Sequence, residues 1–255
     1  MTTSSPVALV VAHLTDTHFG HELGEAAYRT RLVLDELLRM DPPPDVLVHS
    51  GDVADHGYPE EYDEAVQVLS TWEGPLVICP GNHDVRAPYV AAFLDGADGP
   101  ANRAHTVGGA RFVMLDSLVD AVDGQRQDHG VLLPETLAWL DAELAADTSP
   151  TFVALHHPPV EIGVGLMDPI KLTDAEKLAE VLIRHDHVVA TLVGHAHTMG
   201  VSTFAGRPLL VGGGAVSTVP LDREDHPLVW YAAPPTFAIH LLHADGRLTT
   251  HWRAV

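Results

Sequence analysis

An α/β fold around a buried, largely parallel sheet is predicted for this chain by three features. Short continuous apolar runs alternate with amphipathic helical patterns, and Gly, Pro or Asp punctuates nearly every junction. Strands covered on both faces show unbroken apolar runs, whereas half-exposed ones alternate. Residues 7–13 are the first such run, opening into Thr15-Asp16-Thr17-His18. Residues 25–40 follow as a helix with Leu32, Leu34, Leu37 and Leu38 at helical spacing, stopped by Pro42-Pro43-Pro44. The second strand, 45–49, ends at Ser50-Gly51-Asp52. An acidic amphipathic helix over 59–72 turns Tyr62, Val66, Leu69 and Trp72 inward. The third strand, 76–79, is cut off by Pro80-Gly81. Strand–helix–strand repetition of this kind implies right-handed parallel crossovers.

The second half continues with a strand over 111–116, a polar loop over 117–130, and a helix over 134–146. That helix has Pro at its first turn and Leu137, Leu140 and Leu144 on one face. Apolar strands at 151–156 and 187–194 flank a helix that Thr173 is placed to cap ahead of Asp174-Ala175-Glu176. Short strands follow at 200–205, 208–211, 236–242 and 247–252, the last two forming a hairpin about Asp245-Gly246. Loop 220–235, rich in proline and acidic residues, is open to two readings: an ordinary surface loop or a partner contact. With no repeat or low-complexity tract, the expectation is one domain over 1–255.

Composition narrows the function. Lys and Arg number 14 against 35 Asp and Glu, a formal net charge of −21, which is poor material for binding nucleic acid or an anionic membrane. Cys79 is the lone cysteine, so no internal disulfide forms. Residues 1–6 lack a basic start, and no apolar run reaches the ~18 residues of a membrane span; the expected location is the cytoplasm. Histidine is the unusual component, with 18 copies.

Many of those histidines fall where chemistry is expected. Ligands of open α/β sheets sit beyond the carboxyl ends of the strands. Five such ends carry metal-ligating or proton-transferring side chains: Asp16-Thr17-His18, Gly51-Asp52, Gly81-Asn82-His83-Asp84, His156-His157-Pro158-Pro159 and Gly194-His195-Ala196-His197. The donors are imidazole, carboxylate and one amide, without thiolate. That mixture suits a pair of divalent first-row ions rather than structural zinc.

This ordered series resembles the calcineurin-like metallophosphoesterase superfamily over residues 7–197. The stretches His13-Leu14-Thr15-Asp16-Thr17-His18-Phe19 and Gly51-Asp52-Val53-Ala54-Asp55-His56-Gly57 are similar to the class III cyclic-nucleotide phosphodiesterases within it. The resemblance implies a four-layer αββα sandwich of two mixed sheets flanked by helices. It also implies one metal on Asp16, His18, Asp52 and His197, and a second on Asp52, Asn82, His156 and His195. Asp52 would be the shared bridge, and a bridging hydroxide the nucleophile. The ions would be manganese, iron, zinc or cobalt, and together they would outweigh Asp16, Asp52 and the hydroxide, so the site would attract a phosphodiester anion. His83 would touch the phosphate and protonate the leaving oxygen, or serve only as a hydrogen-bonded neighbour of the ligands. Asn82 would lie against the substrate as well. His129 would line the substrate side, or be a plain loop residue. His13 and His49 read best as satisfied core histidines, Asp84 as a cap for the turn before Arg86 in preference to a residue that orients a neighbouring loop, and His157 is left unassigned.

Departures from other branches sort the activity. Protein phosphatases carry Asp-Arg-Gly where this chain has Asp55-His56-Gly57, so their phosphate-gripping arginine is missing. Purple acid phosphatases place a metal-binding tyrosine at the position held here by Asp55. The expected activity is hydrolysis of small phosphodiesters, with 3′,5′-cyclic AMP a candidate. Glycerophosphodiester or broad phosphoester hydrolysis is the alternative, and a non-catalytic metal-binding relative would be expected to have lost ligands. Similar enzymes are often homo-oligomers, which is the expectation here.

Overall fold

The computed structural model describes residues 5–23, 25–94, 96 and 99–255; the remaining positions, including most of the 1–6 stretch, lie outside the described residues. The chain order is β1 (Val7–Leu14), α1 (Ala26–Leu38), β2 (Val46–His49), α2 (Pro59–Leu69), β3 (Leu76–Ile78), α3 (Arg86–Phe93), β4 (Arg103–Val107) and β5 (Ala110–Met114). Then come α4 (Pro134–Ala146), β6 (Thr151–Ala154), α5 (Ala175–Ile183), β7 (Val188–Val193), β8 (Gly200–Phe204), β9 (Arg207–Val211), β10 (Thr236–His243) and β11 (Leu248–Ala254). Two sheets form, in the orders β11-β10-β1-β2-β3 and β4-β5-β6-β7-β9-β8. Their centres are parallel and three of their four edges antiparallel: β10 runs against β1 and β11, β4 against β5 and β8 against β9, while β3 closes the first sheet in parallel with β2.

Three apolar layers give the αββα sandwich. Between the sheets lie Val11, Val48, Cys79, Phe112, Met114, Phe152 and Leu192. The opposite faces of the same strands meet helices: Ala12, Leu14 and Leu47 pack with Leu34, Leu37 and Tyr62, while Val113 and Val153 pack with Leu140, Leu144 and Leu178. Both faces of each central strand are thus covered, which is why their sequences are continuously apolar. Among the described residues no helix is long and apolar enough to cross a membrane.

Several local expectations need correction. Helix α2 stops at Leu69, and Trp72 is buried beyond its end with its indole N–H donated to the Pro75 carbonyl. Val66 and Leu38 face outward, and Ala65, Val68 and Val33 take the inner positions. Thr173 does not cap α5: its hydroxyl bonds to the Gly130 carbonyl, and Asp174 stands at the helix entry in a left-handed conformation. Strand β4 and helix α3 are additional elements, absent from the sequence reading.

Candidate functional site

The carboxyl ends of β1, β2, β3, β6 and β7 deliver their motifs to one edge of the sandwich. Backbone bonds sew the turns together: the Asp16 amide donates to Gly51 O (3.0 Å), the His18 amide to Asp52 O (3.1 Å) and the Gly194 amide to His156 O (3.0 Å). Five of the seven candidate ligands adopt left-handed backbone: Asp16, His18, Asp52, His195 and His197, with φ between 44° and 67°. Each such non-glycine residue costs on the order of 1 kcal/mol. Concentrated strain of this kind is held by the two packed sheets and aims the side chains at a common centre. Gly81 makes a close approach there, since a Cβ at that position would lie 2.2 Å from Asp52 Oδ1 and 2.4 Å from the Asp52 amide.

Two donor groups meet at Asp52. In the first, His197 Nε2 is 3.3 Å from Asp16 Oδ1, His18 Nε2 is 3.5 Å from Asp52 Oδ2, and the two imidazole Nε2 atoms are 3.1 Å apart. In the second, His156 Nε2 is 3.2 Å from the same Asp52 Oδ2. Asn82 Oδ1, His156 Nε2 and His195 Nε2 are buried with no hydrogen-bond partner. Buried polar atoms without partners are rare and expensive. Here three of them lie on the strand-end motifs beside Asp52, one of them, His156 Nε2, 3.2 Å from its carboxylate, so the residues present fit a metal pair.

Each candidate imidazole with a fixed Nδ1 turns its Nε2 toward the centre. His18 Nδ1 donates to Asp55 Oδ1 (3.0 Å), His156 Nδ1 to the Ser50 carbonyl (2.8 Å), and His197 Nδ1 is bonded to the Ser217 hydroxyl (2.8 Å). Ligand histidines are oriented by such contacts. Burial works to raise the Asp16 and Asp52 carboxyls, but His197 beside Asp16 and His156 beside Asp52 hold both well below the usual range. Burial lowers His156, and the adjacent Asp52 charge more than reverses it, to about 9. The buried carboxylate therefore favours a positive charge on His156, while burial lowers His18, to about 4, and His195.

His13 and His49 are fully buried and satisfied, as expected. His13 Nε2 is bonded to the Ser50 hydroxyl (2.8 Å), and His49 Nδ1 accepts from the Gly51 amide (3.3 Å) while Nε2 bonds to Thr17 Oγ1 (3.1 Å). Desolvation lowers them to about 4 and about 3, so both are neutral. His157 clusters with His156 and His195, yet both its nitrogens are engaged, by Ser117 Oγ (2.9 Å) and Asp128 O (3.2 Å), which anchors loop 117–130. Cys79 is a buried apolar contact between the sheets.

Asp84 closes the turn before Arg86 through the Gly81 amide, while the helix that follows has no side-chain cap at Val85. The Asp84 carboxylate accepts from the Gly81, Val53 and Ala54 amides (2.8, 3.2 and 3.0 Å) and from the Tyr62 hydroxyl (3.1 Å). It thereby staples the Gly51-Asp52 turn to the Gly81-Asn82-His83 turn. Asp84→Ala leaves three buried N–H groups unpaired, each worth about 1–3 kcal/mol. A fall of about 3–5 kcal/mol in stability, with weakened metal retention, is expected in chemical denaturation and metal analysis; an unchanged denaturation midpoint would refute it.

Three contributors escaped the sequence reading. Arg126, from loop 117–130, brings Nη1 to 2.9 Å from His83 Nδ1 and pairs with Asp128 (2.6 Å). A guanidinium is therefore present at the site although the Asp-Arg-Gly motif is absent. His129, by contrast, is half-buried and lines neither cavity flanking His83. A sixth strand end, after β9, runs Gly212-Gly213-Gly214-Ala215-Val216-Ser217 and supplies the hydroxyl that orients His197. A Cβ on Gly214 would lie 2.8 Å from His197 Nδ1, so the glycine run after an apolar strand was the available signal. Arg29 on α1 donates to the Ala215, Tyr231 and Ala233 carbonyls and holds both ends of this loop.

The calcineurin-like phosphoesterase family model matches residues 9–199. The glycerophosphodiester phosphodiesterase GpdQ of Enterobacter lignolyticus is 31% identical over 246 residues, covering 91% of this chain and 86% of the relative. The 3′,5′-cyclic adenosine monophosphate phosphodiesterase CpdA of Escherichia coli is 30% identical over 249 residues, covering 94% and 87%. A dimetal phosphatase from Danio rerio superposes with a TM-score of 0.76 over 98% of this chain and 97% of that one, at 17% identity, which bears on the fold alone. With two sheets, five strand ends carrying candidate ligands and a match across three quarters of its length, the chain belongs to the calcineurin-like phosphoesterase family.

Proposed function

We propose that the protein is a metal-dependent phosphodiesterase of small phosphodiesters, with 3′,5′-cyclic AMP a candidate substrate. Asp16, His18, Asp52 and His197 hold one divalent ion; Asp52, Asn82, His156 and His195 hold the other. The observation that carries this is the set of partnerless buried atoms Asn82 Oδ1, His156 Nε2 and His195 Nε2, with His156 Nε2 3.2 Å from Asp52 Oδ2. A nitrogen and oxygen donor set without thiolate favours manganese, iron, zinc or cobalt. When bound, such a pair supplies an activated water near neutral pH and neutralises phosphoryl charge.

The chain's own residues do the rest. Asp52 turns Oδ2 toward both donor groups, and its Oδ1 accepts the His83 amide (2.9 Å), which fixes that histidine against the centre. His83 Nδ1 is held between the Asp55 carbonyl (2.8 Å) and Arg126 Nη1 (2.9 Å), leaving Nε2 to meet a phosphate or a leaving oxygen. Asn82 ligates without adding negative charge, which keeps the centre attractive to an anion. Arg126 adds a cation whose charge Asp128 balances, so the extra charge of a monoester dianion finds little to grip. Diesters are therefore expected over monoesters: kcat/KM for bis-p-nitrophenyl phosphate exceeds that for p-nitrophenyl phosphate in metal-reconstituted protein. Equal or reversed values would overturn the preference. Likeness to GpdQ favours glycerophosphodiesters as the second reading, so glycerophosphocholine and 2′,3′- and 3′,5′-cyclic AMP belong in the same panel. We also infer a homo-oligomer; a single-chain mass in light scattering would contradict it.

A further inference from the structure

Two cavities of different lining meet at His83 and Asp55, which line both. One, the more polar, carries the charged groups Arg126, Arg86 and Asp120 together with His56, beside Val85, Leu118 and Val119. The other, about 270 Å³, has Leu166, Met167, Val219, Val229 and Tyr231 on its walls and is continuous with His18 and His197 at the candidate metal centre. Its walls come from two loops that are braced rather than loose. Thr218 and Trp230 exchange both backbone bonds (3.1 and 2.8 Å), Arg29 holds the loop ends, and Tyr231 Oη bonds to His21 Nε2 (3.0 Å). Asp168 ties down the Ile162 and Gly163 amides (2.8 and 3.0 Å), and Asp222 reaches across to the Gly165 amide (3.2 Å), latching one loop to the other.

We propose that this apolar cleft is a subsite for a flat apolar arm of the phosphodiester, with the second, hydroxylated arm in the polar cavity. The inference rests on the phosphodiesterase reading above and adds the shape of its substrate. A phosphate over the candidate metal centre and His83 sits where the two cavities join, so its two ester arms diverge into unlike surroundings. The apolar cleft is the size of one ring system, and its walls offer aromatic and thioether contacts that suit a ring better than a glycerol. Arms that bury apolar surface in a preformed pocket gain affinity without further ordering of the loops.

The test uses the metal-loaded full chain and two monoanionic, non-hydrolysable probes that carry both arms on P–C bonds and differ only in one arm, methyl(phenyl)phosphinate and dimethylphosphinate. Calorimetry is expected to give about tenfold tighter binding of the phenyl compound, about 1.4 kcal/mol. Val229→Phe and Met167→Trp, one on each loop, should fill the cleft and bring that ratio below about twofold. Equal binding of the two probes by the unmodified protein, or a tenfold ratio that survives both substitutions, would overturn the proposal. Kinetics separate the two inferences: with p-nitrophenolate as the common leaving group, phenyl and methyl diesters should differ in KM. Turnover of both with equal KM removes the subsite and leaves the phosphodiesterase. Turnover of neither, with the ring preference in binding intact, removes the phosphodiesterase and leaves the subsite.

Discussion

Asp52→Ala is expected to abolish diester hydrolysis and to empty both metal positions. Asp52 Oδ2 lies 3.5 Å from His18 Nε2 in one donor group and 3.2 Å from His156 Nε2 in the other. Asp16, the other carboxylate of the cluster, stays 3.9 Å from His156 Nε2, so Asp52 is the better placed to serve both. Losing one preorganised catalytic group typically costs on the order of 10²–10³ in rate; a group serving both ions should cost at least ~10³. The same substitution removes the acceptor of the His83 amide. The His197 side chain, by contrast, meets Asp16, His18 and Ser217. His197→Ala should deplete one position and spare much of the second. Metal content per chain, measured beside kcat, distinguishes the two variants. Wild-type metal content in Asp52→Ala would sink the bridging role, and equal depletion in both variants would show that the positions fill cooperatively.

Much of this centre was legible in the sequence because each candidate ligand follows closely on an apolar strand. The strands announce themselves by burial on both faces: Val11 packs between the sheets while Ala12 meets α1, so neither position tolerates a polar residue. What stayed hidden depends on distance rather than pattern. Arg126 reaches His83 across 43 residues of chain, and no local spacing marks it. Asp84 carries a turn-capping signature, yet two of the amides it accepts from lie about 30 residues upstream, at Val53 and Ala54. Strand β4, Arg-Ala-His-Thr-Val, is partly exposed at a sheet edge, where apolar content is not demanded. Val66 and Leu38 are apolar but outward-facing, since helical spacing predicts a face and not which way a long helix rolls beyond its packed turns.

His83→Gln should depress hydrolysis of alkyl diesters far more than that of aryl diesters. Its imidazole is fixed through Nδ1 by the Asp55 carbonyl at 2.8 Å, with Asp55 Oδ1 a further acceptor at 3.3 Å, so Nε2 is the group left for the substrate. Burial pulls its pKa down, and the Arg126 guanidinium does the same, but Asp52 and Asp55 outweigh both and hold it above the ordinary histidine value. A proton is thus available there near neutral pH. Expulsion of a sugar alkoxide needs that proton in the transition state, whereas p-nitrophenolate leaves as a stable anion. General acid catalysis contributes typically ~10²–10⁴-fold, and the loss should appear only where the leaving oxygen is basic. Metal content should stay near the wild-type level, because Asp16, His18, Asp52 and His197 form a complete donor group without His83, although His83 and Asp55 also come close enough to His18 to form a group of their own. Loss by one common factor on alkyl and aryl diesters would make His83 a phosphate-binding residue, and would move the search for the acid to the loop that carries Arg126 or to water.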